Sequence, residues 1–139
     1  MLNEEAKAKK AAKKKPAKKK ATKKRAYGYC EYCYAPSSFV PDFFPVDHIY
    51  PQSLGGLSAL ENLANSCSCC NSYKHNHTTY SDPLTGNVVR LFHPRKDFWQ
   101  EHFKWSDDEL LIIGLTQIGR ATIGLLKMNR EENINLRIL

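Results

Sequence analysis

The sequence predicts a small α+β domain clamped by a four-cysteine metal site, with a basic tail in front of it and a mixed extension behind. Three observations carry that reading. Two C-x2-C pairs, Cys30/Cys33 and Cys67/Cys70, bracket a 33-residue insert. Short β-like runs alternate with Pro- and Gly-rich punctuation instead of long periodic helices. Charge is segregated: residues 1–25 hold 12 Lys or Arg against 2 Glu, a net of +10, while the remaining 114 residues carry 9 basic and 12 acidic side chains, a net of −3.

From Lys7 to Arg25 the chain is nearly all Lys and Ala with one Pro16. Such a stretch buries too little apolar surface to offset chain entropy and is expected to be disordered alone. Lys13, Lys14, Lys15, Lys18, Lys19 and Lys20 are candidate contacts to nucleic-acid phosphates, because a run of cations matches an anionic rod better than a small acidic ligand. A solubilising tail or a targeting address is the competing reading.

At Tyr27 the composition changes to aromatic residues and cysteine, and a core is expected over 26–80. Cys30-x2-Cys33 forms a turn, Pro36, Pro41 and Pro45 punctuate a loop, and Val46 to Tyr50 reads as a strand ended by Pro51. Gln52 to Gly56 is a loop, Leu60 to Ala64 a second strand, and Cys70 to His75 one or two helical turns. Beyond 80 a C-terminal extension over 81–139 packs on that core. It contains a turn at Asp82 to Gly86, a strand at Val88 to Phe92, an apolar run from Leu110 to Leu115, and helical spacing at Ile118, Ala121 and Leu125. Asn129 ahead of Glu131 and Glu132 resembles an N-cap with acidic first-turn residues.

No run approaches a membrane span and the N-terminus lacks a secretory h-region, so an intracellular, cytoplasmic location is expected: nucleoid-associated in a bacterium, nuclear in a eukaryote. In a reducing compartment, paired C-x2-C turns present thiolates to one tetrahedral ion, and Zn2+ is the expected structural occupant through Cys30, Cys33, Cys67 and Cys70. Cys69 is the surplus thiol.

Within the insert and just beyond it stand Asp47-His48-Ile49-x-Pro51-x-Ser53-x-Gly55-Gly56, then Glu61-Asn62-Leu63, then Cys67-x2-Cys70-Asn71-x2-Lys74. This constellation resembles the HNH endonuclease motif in its four-cysteine zinc form. Asn71 occupies the motif's last position, where Asn and His both occur. The stretch from Leu91 to Leu139 is similar to an extension of small bacterial, especially cyanobacterial, HNH proteins.

The resemblance implies a ββα-metal (His-Me finger) core, with His48 at the end of the first strand, Asn71 on the helix, and Asn62 steadying the loop between the strands. It implies metal-dependent hydrolysis of DNA, with RNA as substrate left open. The residue types suit those roles. An imidazole changes charge near neutrality and can act as general base. Asp47 and Asn71 offer oxygen ligands to a hard catalytic ion such as Mg2+ or Mn2+. His75, four residues after Asn71, is a candidate further ligand that would admit Ni2+, and Lys74 a candidate phosphate contact. Asp47 and His48 are neighbours on a strand and therefore point to opposite faces unless the strand bends. The alternative from another class is a noncatalytic zinc-ribbon module that binds nucleic acid.

Overall fold

A computed structural model describes residues 17–39 and 44–139. The expected phosphate contacts Lys13, Lys14 and Lys15, and the loop proline Pro41, lie outside the described residues.

Residues 17–25 are helical (α1), which departs from the expected disordered tail. The reason is tertiary. Thr22 and Ala26 are buried, the Lys18 ammonium donates to the Ser58 carbonyl at 2.9 Å, and the Arg25 guanidinium donates to the Leu63 carbonyl at 2.7 Å. A Lys/Ala segment has good helix propensity, and these anchors supply what its composition lacks.

Val46–His48 (β1) and Leu63–Asn65 (β2) form an antiparallel pair with Val46 opposite Asn65, Asp47 opposite Ala64 and His48 opposite Leu63. β1 ends two residues earlier than the apolar run suggests, because the chain turns at Ile49 and Tyr50 ahead of Pro51. β2 begins three residues later than expected, since Leu60–Asn62 is a 3-10 turn. Ser68–Lys74 (α2) follows, its N-terminus capped by the Cys67 sulfur, which accepts from the Cys70 amide at 3.4 Å. Together these are the ββα unit.

The extension supplies the lid of the core. Thr79–Ser81 (β3) pairs with Val88–Arg90 (β4), and Phe103–Trp105 (β5) pairs with Ile112–Gly114 (β6); Trp99–His102 (α3) precedes β5. Gln117–Leu126 (α4) buries Ala121 and Leu125 and packs against α2, β3, β4 and β6. The Thr116 hydroxyl caps α4 by accepting from the Gly119 amide at 3.0 Å. Glu131–Ile138 (α5) is preceded by Arg130 at the cap position, not by Asn129. Asn129 is drawn instead to β6, where its side-chain amide accepts from the Ile112 amide and donates to the Ile112 carbonyl, each at 2.8 Å.

One hydrophobic cluster joins the two halves. Tyr32, Phe44, Ile49 and Ala64 meet Leu91, Phe92, Trp99, Phe103, Ile112, Leu126 and Met128, with the four cysteines at its edge. Burying each large side chain contributes about 1.5–3 kcal/mol. The Trp99 indole also donates to the Tyr32 carbonyl at 3.2 Å, between the two cysteines of the first pair. Among the described residues no helix is long and apolar enough to cross a membrane.

Candidate active site and metal centre

Cys30 and Cys33 sit on the turn before β1, Cys67 caps α2 and Cys70 lies on its first turn. All four are buried, and their sulfurs lie within 4.8 Å of one another. The Cys33–Cys67 sulfur separation is 3.7 Å. A tetrahedral ion with bonds of about 2.3 Å sets its ligands roughly 3.8 Å apart, so the cage fits zinc in size and in donor type. Hydrogen bonds from Cys30, Cys33 and Cys70 hold the Cys67 thiol far below its ordinary range. Cys69 is exposed and stands outside the cage.

Arg130 is a feature of this centre that motif spacing does not reveal. Its guanidinium reaches the Cys67 sulfur at 3.4 Å and the Cys70 sulfur at 3.9 Å. Burial opposes its charge, but the Cys70, Cys33 and Cys67 sulfurs outweigh that and raise its pKa above the ordinary value. Four thiolates around a divalent ion leave a net charge of about −2; Arg130 offsets part of it from sixty residues away. The only sequence signal is an arginine at the start of the last helix.

The hairpin loop places His48. Gly55 adopts φ +98°, which an L side chain rarely takes, and a Cβ at Gly56 would overlap the Tyr50 carbonyl. Asn62 closes the loop with three hydrogen bonds. Its side-chain oxygen accepts from the Tyr50 amide at 2.8 Å, and its NH2 donates to the carbonyls of Tyr50 (3.0 Å) and Leu57 (2.8 Å). The closed loop brings Ser58 to His48, with 2.9 Å between the Ser58 hydroxyl and His48 Nε2. Ser58 is a second residue absent from the sequence expectation.

Asp47 and Lys74 are engaged with each other. β1 is regular, so Asp47 faces inward while His48 faces outward. Asp47 is 3% exposed, accepts from the Tyr32 hydroxyl at 2.6 Å, and pairs with the Lys74 ammonium at 3.2 Å. Burial raises its pKa, against the opposing pull of Lys74 and Tyr32. Lys74, 1% exposed, also donates to the carbonyls of His48 (3.2 Å) and Ile49 (3.0 Å). Its ammonium therefore locks the end of α2 onto the end of β1 and is not open to a phosphate.

Asn71 is half-buried on α2, one turn before Lys74. Residues three apart share a helix face, so Asn71 lies on the face of α2 that carries Lys74. His75 falls outside the helix, exposed and at φ +46°, so helical spacing does not align it with Asn71 as the sequence suggests. Among the described residues the four-cysteine cage is the one cluster of three or more His, Cys, Asp or Glu groups placed to hold a metal.

Charged and histidine side chains of the extension are engaged structurally. His102 Nδ1 meets the Thr116 hydroxyl at 2.7 Å. His93 Nδ1 accepts from the Arg95 and Lys96 amides. Arg90 pairs with Asp97 through two nitrogens, and Arg95 with Glu31.

Neither the curated proteins nor the solved structures hold a match to the chain. Residues 30–77, which run from the first cysteine of the cage through the His48 hairpin to just past α2, match the model of the HNH endonuclease family.

Proposed function

We propose that the protein is a nuclease that hydrolyses DNA phosphodiester bonds, with His48 as general base. The observation that carries this reading is the outward imidazole of His48, tied at one ring nitrogen to Ser58 in a loop that Asn62 closes. When Nε2 donates to the Ser58 hydroxyl, Nδ1 keeps its lone pair and can take a proton from an attacking water. The four hydrogen bonds around the loop hold that nitrogen in place before substrate arrives, which removes reorganisation from the chemical step.

A divalent ion such as Mg2+, when bound, would neutralise charge on the phosphate and leaving group. Asn71 is the protein oxygen donor this reading assigns to it, with waters and phosphate oxygens completing the shell. Asp47 is held by the Tyr32 hydroxyl and the Lys74 ammonium. It fixes the strand from behind through Tyr32 and Lys74.

The inward turn of Asp47 favours the second reading, a zinc-stapled module that binds nucleic acid without cutting it, since it removes one carboxylate from the expected ligand set. One experiment separates the two. Supercoiled plasmid incubated with purified protein and a panel of divalent metals should be nicked or linearised, and His48→Ala should lower the rate by about 10² or more. Failure of the parent protein to cleave under every metal establishes the binding module instead.

A further inference from the structure

A groove of about 500 Å3 lies beside the first cysteine pair, lined by Arg25, Tyr27, Tyr29, Tyr34, Phe98 and Trp99 among others. Its inner rings are braced. Tyr34 stands edge-on to Trp99 with centroids 5.0 Å apart, and Tyr29 lies 6.3 Å from Tyr34. Its outer rings are open to water, Tyr27 at 87% and Phe98 at 71% exposure. Rings held this far out of a small core offer their faces to a ligand at little conformational cost.

The lining carries Arg25 with two carboxylates, Glu31 and Asp97, and both carboxylates are already paired, Asp97 with Arg90 through two nitrogens. Glu31 is engaged by Arg95 at one oxygen and by the Asn65 amide at the other. Arg25 adds a second guanidinium close enough to join burial in lowering the Arg95 pKa, to about 10. The Nε atoms of both arginines are buried without a hydrogen-bond partner.

α1 connects this groove to the catalytic hairpin. Lys18 holds the carbonyl of Ser58, whose hydroxyl meets His48. Seven residues on, Arg25 holds the carbonyl of Leu63, which pairs with His48 across the ladder. At 1.5 Å per residue that path is about 10 Å, and the chain then passes through Ala26 and Tyr27 into the groove.

We propose that the groove receives unpaired bases of the DNA strand whose phosphate reaches His48, while the cations of α1 follow that strand's backbone. The inference rests on the nuclease reading for its strand and adds a substrate class, DNA with an unpaired segment near the scissile bond. Duplex bases are stacked on one another and present no free face; an unpaired base does, and aromatic side chains bind it without regard to sequence. The basic approach along α1 selects a polyanion over an apolar peptide as the occupant.

The test uses His48→Ala protein with zinc and Mg2+ present, so that binding is read without cleavage. Its affinity is measured for a blunt duplex and for the same duplex carrying a short unpaired extension, with a fluorescent adenine analogue in the extension. The extended duplex should bind about fivefold tighter or more, the lower end of base–aromatic stacking, and the analogue's emission should be quenched. Replacing both outer rings, Tyr27→Leu with Phe98→Leu, should abolish the preference and the quenching at unchanged zinc content. Equal affinity for the two duplexes, or a preference that survives the double substitution, overturns the proposal. A parent protein that prefers the extension yet never cleaves plasmid overturns only the nuclease reading; one that cleaves without the preference overturns only the groove.

Discussion

Asp47 and Lys74 join the end of β1 to the end of α2. Each is buried, and each satisfies the other together with Tyr32 and two carbonyls. Removing one partner leaves an uncompensated charge in the interior, so Lys74→Met should lower stability by about 3–5 kcal/mol, measured by denaturant unfolding with zinc held constant. Combining it with Asp47→Leu should recover much of that loss, because the pair is replaced by apolar volume. If Asp47 held a metal on the His48 side instead, the double variant would refold yet lose all metal-dependent activity, which is the outcome to look for. Ser58 should behave differently. Ser58→Ala leaves the fold intact and should slow cleavage less than His48→Ala does, through a freer imidazole.

At the scale of elements, the β3–β4 turn is fastened to α4 by one buried carboxylate. Asp82 accepts from Arg120 Nε and from an Arg120 terminal nitrogen, both at 2.9 Å, and also from the Thr85 hydroxyl and the Leu84 amide. The hydrogen bonds from Arg120 come first among the causes that hold its pKa well below the ordinary carboxylate range. A group depressed on folding contributes stability that is fully present above its unfolded value, about 3.9, and is lost as pH falls through the lower folded value. Thermal midpoints recorded from neutral to acid pH should therefore drop below about pH 4, and Asp82→Asn should lower the neutral plateau while flattening that acid limb. α2 and α5 are joined in a comparable way through the cage, by Arg130 on the sulfurs of Cys67 and Cys70.

For the whole molecule, the cysteine cage and the basic N-terminus carry the predictions on folding and, under the proposed function, on encounter with DNA. The cage ties the turn before β1 to the start of α2, so its binding energy is folding energy. Cys33→Ser, or a strong chelator, should unfold the core, read out by the emission of Trp99, whose indole is bonded within the first cysteine turn. Asn71→Ala should keep both fold and zinc. Residues 1–16 carry six Lys against two Glu ahead of the docked α1. A variant beginning at Ala17 keeps α1 and should bind DNA more weakly, its salt dependence flatter by about 0.9 log unit for each phosphate that the removed lysines neutralise. Isotherms over a range of salt, with catalysis measured at saturating substrate, distinguish this effect on encounter from one on chemistry.

Local spacing determined a good part of this. Two C-x2-C turns can present sulfurs to one ion wherever they lie, and the Asp47-to-Lys74 motif names the hairpin, the loop glycines and the helix because their pairing closes within one short segment, His48 opposite Leu63 and Asn62 bonded to Tyr50. The periodicity of Ile118, Ala121 and Leu125 likewise named α4, since a helix's buried face is written in its own sequence. What depended on partners far along the chain was decided only by the tertiary structure. α1 is a helix because Ser58 and Leu63 offer it carbonyls; Asn129 leaves the cap for β6; Arg130 crosses sixty residues to the cage. The side of β1 on which Asp47 lies belongs to the same class. Strand alternation separates it from His48, but which face is inward depends on Tyr32, Lys74 and the core laid against them.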